Sequence, residues 1–169
     1  QNSLTLLILI LEFELTYDFK EKLGGLDKDL VLAFFSSFSY LECCLKKCGY
    51  AKNSQSRIEI YWDRFCEEHK MVFTGLDSKM ITYFEKKSPQ KQIISDCGEL
   101  AWTDDAYSGE FNFERLLVLV RRVRNNLFHG GKYNIPVEEL ARNDDLLRYS
   151  LSVVTNCIES LQKAHPEKF

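Results

Sequence analysis

Apolar residues recur at three- and four-residue steps along most of the chain, the period of helices that bury one face. From Leu4 to Leu23 this pattern predicts a first helix, closed by Gly24 and Gly25, which take up a left-handed stop at little cost. Asp27 is placed to cap a second helix, whose buried stripe is Leu30, Phe34, Phe38, Leu41 and Leu45 and whose end is Gly49. Lys52 to Ser56 reads as a polar loop. Ile58, Tyr61, Trp62, Phe65 and Cys66 then predict the inner face of a third helix reaching about Val72, with Trp62 and the Phe-rich stripe in the core. Leu76 to Lys87 predicts a further helix before Ser88 and Pro89, and a short one is expected over Lys91 to Cys97. Gly98 to Glu110 has no sustained period and reads as the longest loop. Asn112 caps the next predicted helix, with Leu116, Leu117, Val120, Val123 and Leu127 as its stripe and Gly130 and Gly131 at its end. Pro136 in a first helical turn, followed by Glu138 and Glu139, starts a last helix to about Ala164. The expectation is an all-α, up-and-down helical bundle of about five to seven helices in a single domain, residues 1–169.

Composition narrows the picture. With 45% hydrophobic residues in 169, the chain can bury one core, and eight Gly with three Pro leave few obligatory breaks. A net charge of -3 excludes a surface that is basic all over, so any contact with nucleic acid has to be local. Cys43, Cys44 and Cys48 share one predicted helix while Cys66, Cys97 and Cys157 stand far apart, a pattern of reduced thiols in a cytoplasmic protein. No paired C-x-x-C spacing suggests zinc, and neither metal nor cofactor is expected. The apolar run Leu4 to Leu11 falls well short of the ~20 residues of a membrane span, and no basic start precedes it, so a buried helix is expected rather than a signal or membrane segment.

The densest polar cluster is Arg121-Arg122-Val123-Arg124-Asn125-Asn126-Leu127-Phe128-His129-Gly130-Gly131-Lys132-Tyr133. Arg121, Asn125 and His129 lie four apart on one helical face, whereas Arg124 points roughly 140° away from His129. Within one chain the two converge poorly unless the helix end bends, and a two-fold dimer supplies the missing partner from a second copy. On residue chemistry alone, His129 reads as a cation at the negative end of a helix dipole, and Arg122 as a solvated basic side chain. One of Asn125 and Asn126 is expected to be structural, with Asn125 the functional choice because it shares a face with His129. Glu42 and Lys46 have the spacing of a surface i, i+4 pair.

Arg-Asn with His four residues after the Asn, near the end of a late helix, resembles the signature of the HEPN superfamily. Phe35-Ser36-Ser37-Phe38-Ser39-Tyr40-Leu41-Glu42-Cys43-Cys44-Leu45-Lys46-Lys47-Cys48-Gly49-Tyr50 and Tyr61-Trp62-Asp63-Arg64-Phe65 are similar to the early helices of a plasmid-associated bacterial subgroup of that superfamily. The resemblance implies a helical homodimer and a metal-independent endoribonuclease site composed across the dimer interface. In it Arg124 grips the scissile phosphate, His129 moves a proton and Asn125 is their polar partner, so that the RNA 2′-OH attacks its own phosphate by transesterification. Arg121 and Lys132 would then extend RNA binding. Glu and Lys recur on the early helix of the subgroup, which implies supporting roles for Glu42, reaching toward Arg124, and for Lys46. Many members are toxins with an antitoxin protein as partner, or phage-defence nucleases; others are non-catalytic modules that bind nucleotides or RNA or serve dimerisation. Some HEPN toxins are silenced by modification of a Tyr two residues after the His; Tyr133 lies four after His129, which departs from that pattern.

Overall fold

The computed structural model describes residues 25–104, 107–128 and 137–169, with the backbone alone for 137–140. The expected first helix, His129, Lys132, Tyr133 and Pro136 lie outside the described residues. Six α-helices are described: α1 (Lys28–Lys47), α2 (Trp62–Glu68), α3 (Met71–Thr74), α4 (Ser78–Lys86), α5 (Phe113–Phe128) and α6 (Val137–Ala164). Between them lie four short strands, β1 (Ala51–Ser54), β2 (Arg57–Ile60), β3 (Lys91–Ile94) and β4 (Leu100–Thr103), and a 3-10 turn over Pro166–Lys168 follows α6.

The bundle forms because α1, α5 and α6 each carry a continuous apolar stripe. Phe34, Phe38, Leu41 and Leu45 of α1 pack with Leu147, Val154 and Leu161 of α6 and with Leu116 and Val120 of α5, all of them buried. Asp27 caps α1 as its sequence position predicts, its carboxylate accepting from the Asp29 and Leu30 amides at 3.0 and 3.1 Å. The far end of α1 closes by the Schellman pattern: Gly49 has φ +84°, its amide reaches the Lys46 carbonyl, and the Tyr50 amide reaches that of Leu45 at 2.8 Å. Asn112 starts α5, its Oδ1 accepting from the Arg115 amide at 2.9 Å.

The all-α expectation holds for the bundle and fails in two places. Residues 51–60, expected as a loop running into a helix, form an antiparallel hairpin in which Ala51 faces Ile60 and Ser54 faces Arg57. Its two-residue turn puts both Gln55 (φ 45°) and Ser56 (φ 69°) in the left-handed region, a turn usually marked by Asn-Gly and here written without glycine. Ile58 happens to be in helical step with Tyr61, Trp62 and Phe65, which makes strand and helix read as one helix; it is an exposed strand residue instead. The expected helix over Lys91 to Cys97 and the start of the expected loop are a second antiparallel hairpin, with Lys91 opposite Thr103 and Ile94 opposite Leu100. Gly98 (φ +82°) turns the hairpin rather than ending a helix. Trp62 is only partly buried, packed against the rim of the core.

All six cysteines are free thiols. No described helix is long and apolar enough to cross a membrane, and among the described residues no cluster of His, Cys, Asp and Glu is arranged to hold a metal ion.

Candidate functional site

The second half of α5 turns its inner face, through Val120 and Val123, into the core and presents arginines and asparagines on the rest of its circumference. Arg124 faces α1. Its guanidinium lies over the Phe38 ring at 5.5 Å and the Phe128 ring at 4.7 Å, and its Nη2 stands 3.9 Å from the Glu42 carboxylate. Nη1 donates to the Asn125 Oδ1 at 2.9 Å. The Nε is buried with no hydrogen-bond partner among the described residues, yet the side chain as a whole keeps 32% of its surface open. Two rings, one carboxylate and one amide thus fix the plane of a guanidinium that still reaches solvent, the arrangement in which an arginine offers a rigid fork to a phosphate.

Glu42, expected on family grounds to support this arginine, does face it; Lys46 lies exposed in the last turn of α1 and takes no part in the pair. Asn125 orients Arg124, a role the reading of a shared face with His129 did not single out. Arg121, one turn earlier, stacks on the Trp62 ring at 4.9 Å. Burial pulls its affinity for the proton below the ordinary arginine value, and the carboxylates of Asp63 and Glu42 push back, so it remains a cation held against an aromatic wall. Beside Arg124, Phe35 and Phe128 stack at 4.7 Å while remaining 42% and 48% exposed, an apolar pair at the surface where α5 ends.

Arg122 and Asn126 serve the scaffold. Arg142 of α6 donates to the Ser88 carbonyl at 2.9 Å, Arg122 to that of Pro89 at 3.1 Å and Asn126 to that of Gln90 at 2.9 Å. Three consecutive carbonyls are thereby satisfied by side chains from the bundle, which pins the entry of β3 onto α5. The solvated-face expectation for Arg122 is corrected by this bond, and Asn126 is the structural one of the two asparagines. Between β3 and α5 this leaves a cleft of about 450 Å³, walled by Lys91, Gln92, Val118, Arg121, Arg122, Asn125 and Asn126, with no carboxylate among its described lining residues.

Compared with protein-family models, curated proteins and solved structures, the chain matches none. The site therefore stands on its own geometry, and two of its features escaped the sequence reading. The sequence pattern places Lys91 and Gln92 on a helix, which hides their approach to α5. His69 carries no motif in the sequence: it is buried, stacked on Phe65 at 4.7 Å, with its Nε2 3.0 Å from the Tyr50 hydroxyl and its Nδ1 2.7 Å from the Ser160 hydroxyl. Tyr50 gives its only proton to Glu68 at 2.6 Å, so His69 must donate through Nε2 and accept the Ser160 proton at Nδ1. Burial first, and repulsion from His165 second, hold His69 below its ordinary value, while burial first, and the bond to Glu68 second, push Tyr50 up to about 12. The His69 chain ties the base of the first hairpin to α6, remote in sequence from the arginine helix.

Proposed function

We propose that the protein is a metal-independent endoribonuclease of HEPN type, acting as a homodimer, with Arg124, Asn125 and His129 at a site composed from two helix ends. The observation that carries this reading is Arg124 itself. A guanidinium clamped by Phe38 and Phe128, steered by Asn125 and Glu42, and still open to solvent is suited to bind a phosphodiester and the charge that builds on its oxygens. RNA brings its own nucleophile in the 2′-OH, so the protein has to supply proton transfer and charge stabilisation only. His129 follows Phe128 directly in the sequence, and an imidazole side chain is suited to take the 2′ proton or to give one to the leaving 5′ oxygen; the products carry a 2′,3′-cyclic phosphate and a 5′ hydroxyl. The exposed Phe35–Phe128 pair beside the arginine supports docking of a second copy, which brings a second imidazole to the guanidinium. In the sequence Lys132 adds a further cation three residues after His129. A toxin or phage-defence role, with an antitoxin protein as partner, fits such an activity.

Incubation of the purified protein with total RNA in excess chelator, beside His129→Ala, tests this directly. Cleavage that persists in chelator and falls about 10²–10⁴-fold in the variant is expected. An inactive parent would leave a non-catalytic RNA-binding or dimerisation module, and equal cleavage by both would place the chemistry elsewhere.

A further inference from the structure

The face of α1 turned away from the bundle lacks the charge of a solvated helix surface. From Leu30 to Leu41 the helix carries no charged residue, although Leu32, Ala33, Phe35, Ser36, Ser39 and Tyr40 are all exposed. Leu32 keeps 60% of its surface open and Tyr40 45%, on a helix whose inner stripe of Leu30, Phe34, Phe38, Leu41 and Leu45 is already buried. An outer face that bears open leucine and tyrosine and no charge is built to be covered.

Spacing and charge identify what covers it. Asp29, Leu32, Ser36, Ser39, Cys43 and Lys46 are exposed and follow one another at steps of three, four, three, four and three, the seam along which two helices pair. Their order is symmetric about the point between Ser37 and Phe38, with an acid and a cation at the ends, Leu32 and Cys43 inside them and two serines in the middle. Laid antiparallel on a second copy about a two-fold axis through that point, Asp29 meets Lys46, Leu32 meets Cys43 and Ser36 meets Ser39, each contact occurring twice. Neither Asp29 nor Lys46 has an ion-pair partner among the described residues, so both charges are open to a second copy. A parallel pair would instead set acid against acid and cation against cation. The small serines at the centre let the two helix axes come close, at the near end of the ~8–10 Å range of packed helices.

We infer that two copies of the chain pair antiparallel through this seam of α1, about an axis between Ser37 and Phe38. The inference rests on the reading of the α5 end as a site shared by two chains and deepens it by naming the surface that joins them. Phe35 and Glu42 flank the seam on its α5 side and are the residues that touch Phe128 and Arg124. The two-fold axis keeps the flanks of both chains on one side of the helix pair, so the two Phe128 ends and the two Arg124 guanidiniums come to that same side.

Sedimentation velocity across a range of concentrations, together with thiol crosslinking, reads the pairing apart from any RNA cleavage. The parent is expected to sediment as a dimer, and Leu32→Glu to dissociate at least about tenfold more readily. Lys46→Glu is expected to weaken the dimer roughly tenfold by setting acid against acid at both ends, with Asp29→Lys added to Lys46→Glu restoring it. These positions lie outside the core, and thermal melting checks that the variants fold. Crosslinking is done in a Cys97→Ser background, since that thiol is exposed as well. Under mild oxidation Leu32→Cys is expected to run as a covalent dimer through Cys43 of the second copy, and to lose that band when Cys43→Ser is added. Without Leu32→Cys no band is expected, because in this register the two Cys43 positions stand about 16 Å apart along the helix axis. The seam is refuted by a parent that is monomeric throughout, by a dimer that Leu32→Glu and Lys46→Glu leave intact, or by direct crosslinking of Cys43 to Cys43, the mark of a parallel pair. The two ideas have separate fates. A protein that cuts RNA as a dimer indifferent to these substitutions loses the seam and keeps the nuclease; a dimer that Leu32→Glu takes apart, in a protein that never cuts RNA, does the reverse.

Discussion

Asn125 and Asn126 are adjacent in the sequence and opposite in use. Asn126 is buried and donates to the Gln90 carbonyl, while Asn125 is exposed and accepts from Arg124. Asn126→Ala removes a buried amide and the partner of a half-buried carbonyl and is expected to cost about 1–3 kcal/mol in urea unfolding. Asn125→Ala is expected to stay within about 0.5 kcal/mol of the parent in the same measurement. Helical phase made this split partly legible, since it sets Asn126 near Val123 and the core, but it assigned Asn125 to His129 because phase says nothing of how far a neighbouring guanidinium reaches. Glu42 shows the opposite case: its spacing from Lys46 suggested a surface pair, and the approach of α5 to α1 turned it toward Arg124 instead.

Among the elements, the long ones were legible because cap and period agree. Asp27 and Asn112 both cap as their positions predict, and the apolar stripes of α1 and α5 are buried. The hairpins were not. A four-residue strand holds too few positions to separate period two from period 3.6, Gln55 and Ser56 carry no mark of a left-handed turn, and the β3–β4 pair is held by carbonyl bonds from α5 and α6 that no local pattern encodes. One consequence of the fold at this scale is measurable. His69 bridges the first hairpin and α6 through Tyr50 and Ser160, flanked by Glu68, Arg64 and His165. Its proton affinity is lowered in the folded state, chiefly by burial, so the unfolded chain binds the proton first. Its contribution to stability is complete above about 6.5 and is lost progressively as pH falls below that value. Glu68 is lowered as well, by its bonds to Tyr50 and Arg64, and its contribution is lost only as pH falls below about 4.5. The denaturant midpoint of the parent is therefore expected to drop between those two pH values, and that of His69→Gln to stay flatter there; parallel curves would contradict the assignment.

For the whole molecule, the described residues form one helical bundle with two hairpin arms; Arg121 and Arg122 of α5 share a cleft with Lys91 of the second arm, while Arg124 turns toward Glu42 of α1. On the proposed reading, the arginines of α5 meet a phosphate strand and the exposed Phe35–Phe128 pair meets a second copy of the chain. The central claim is that guanidinium and imidazole act together across two chains. Mixing Arg124→Ala with His129→Ala, each inactive alone, tests it: a heterodimer contains one site in which both groups are present. Chelator-resistant RNA cleavage is predicted to return to roughly a quarter of the parental rate in an equal mixture, half the dimers being mixed and half their sites intact. A mixture as silent as its components, or either variant cutting as fast as the parent, would contradict it.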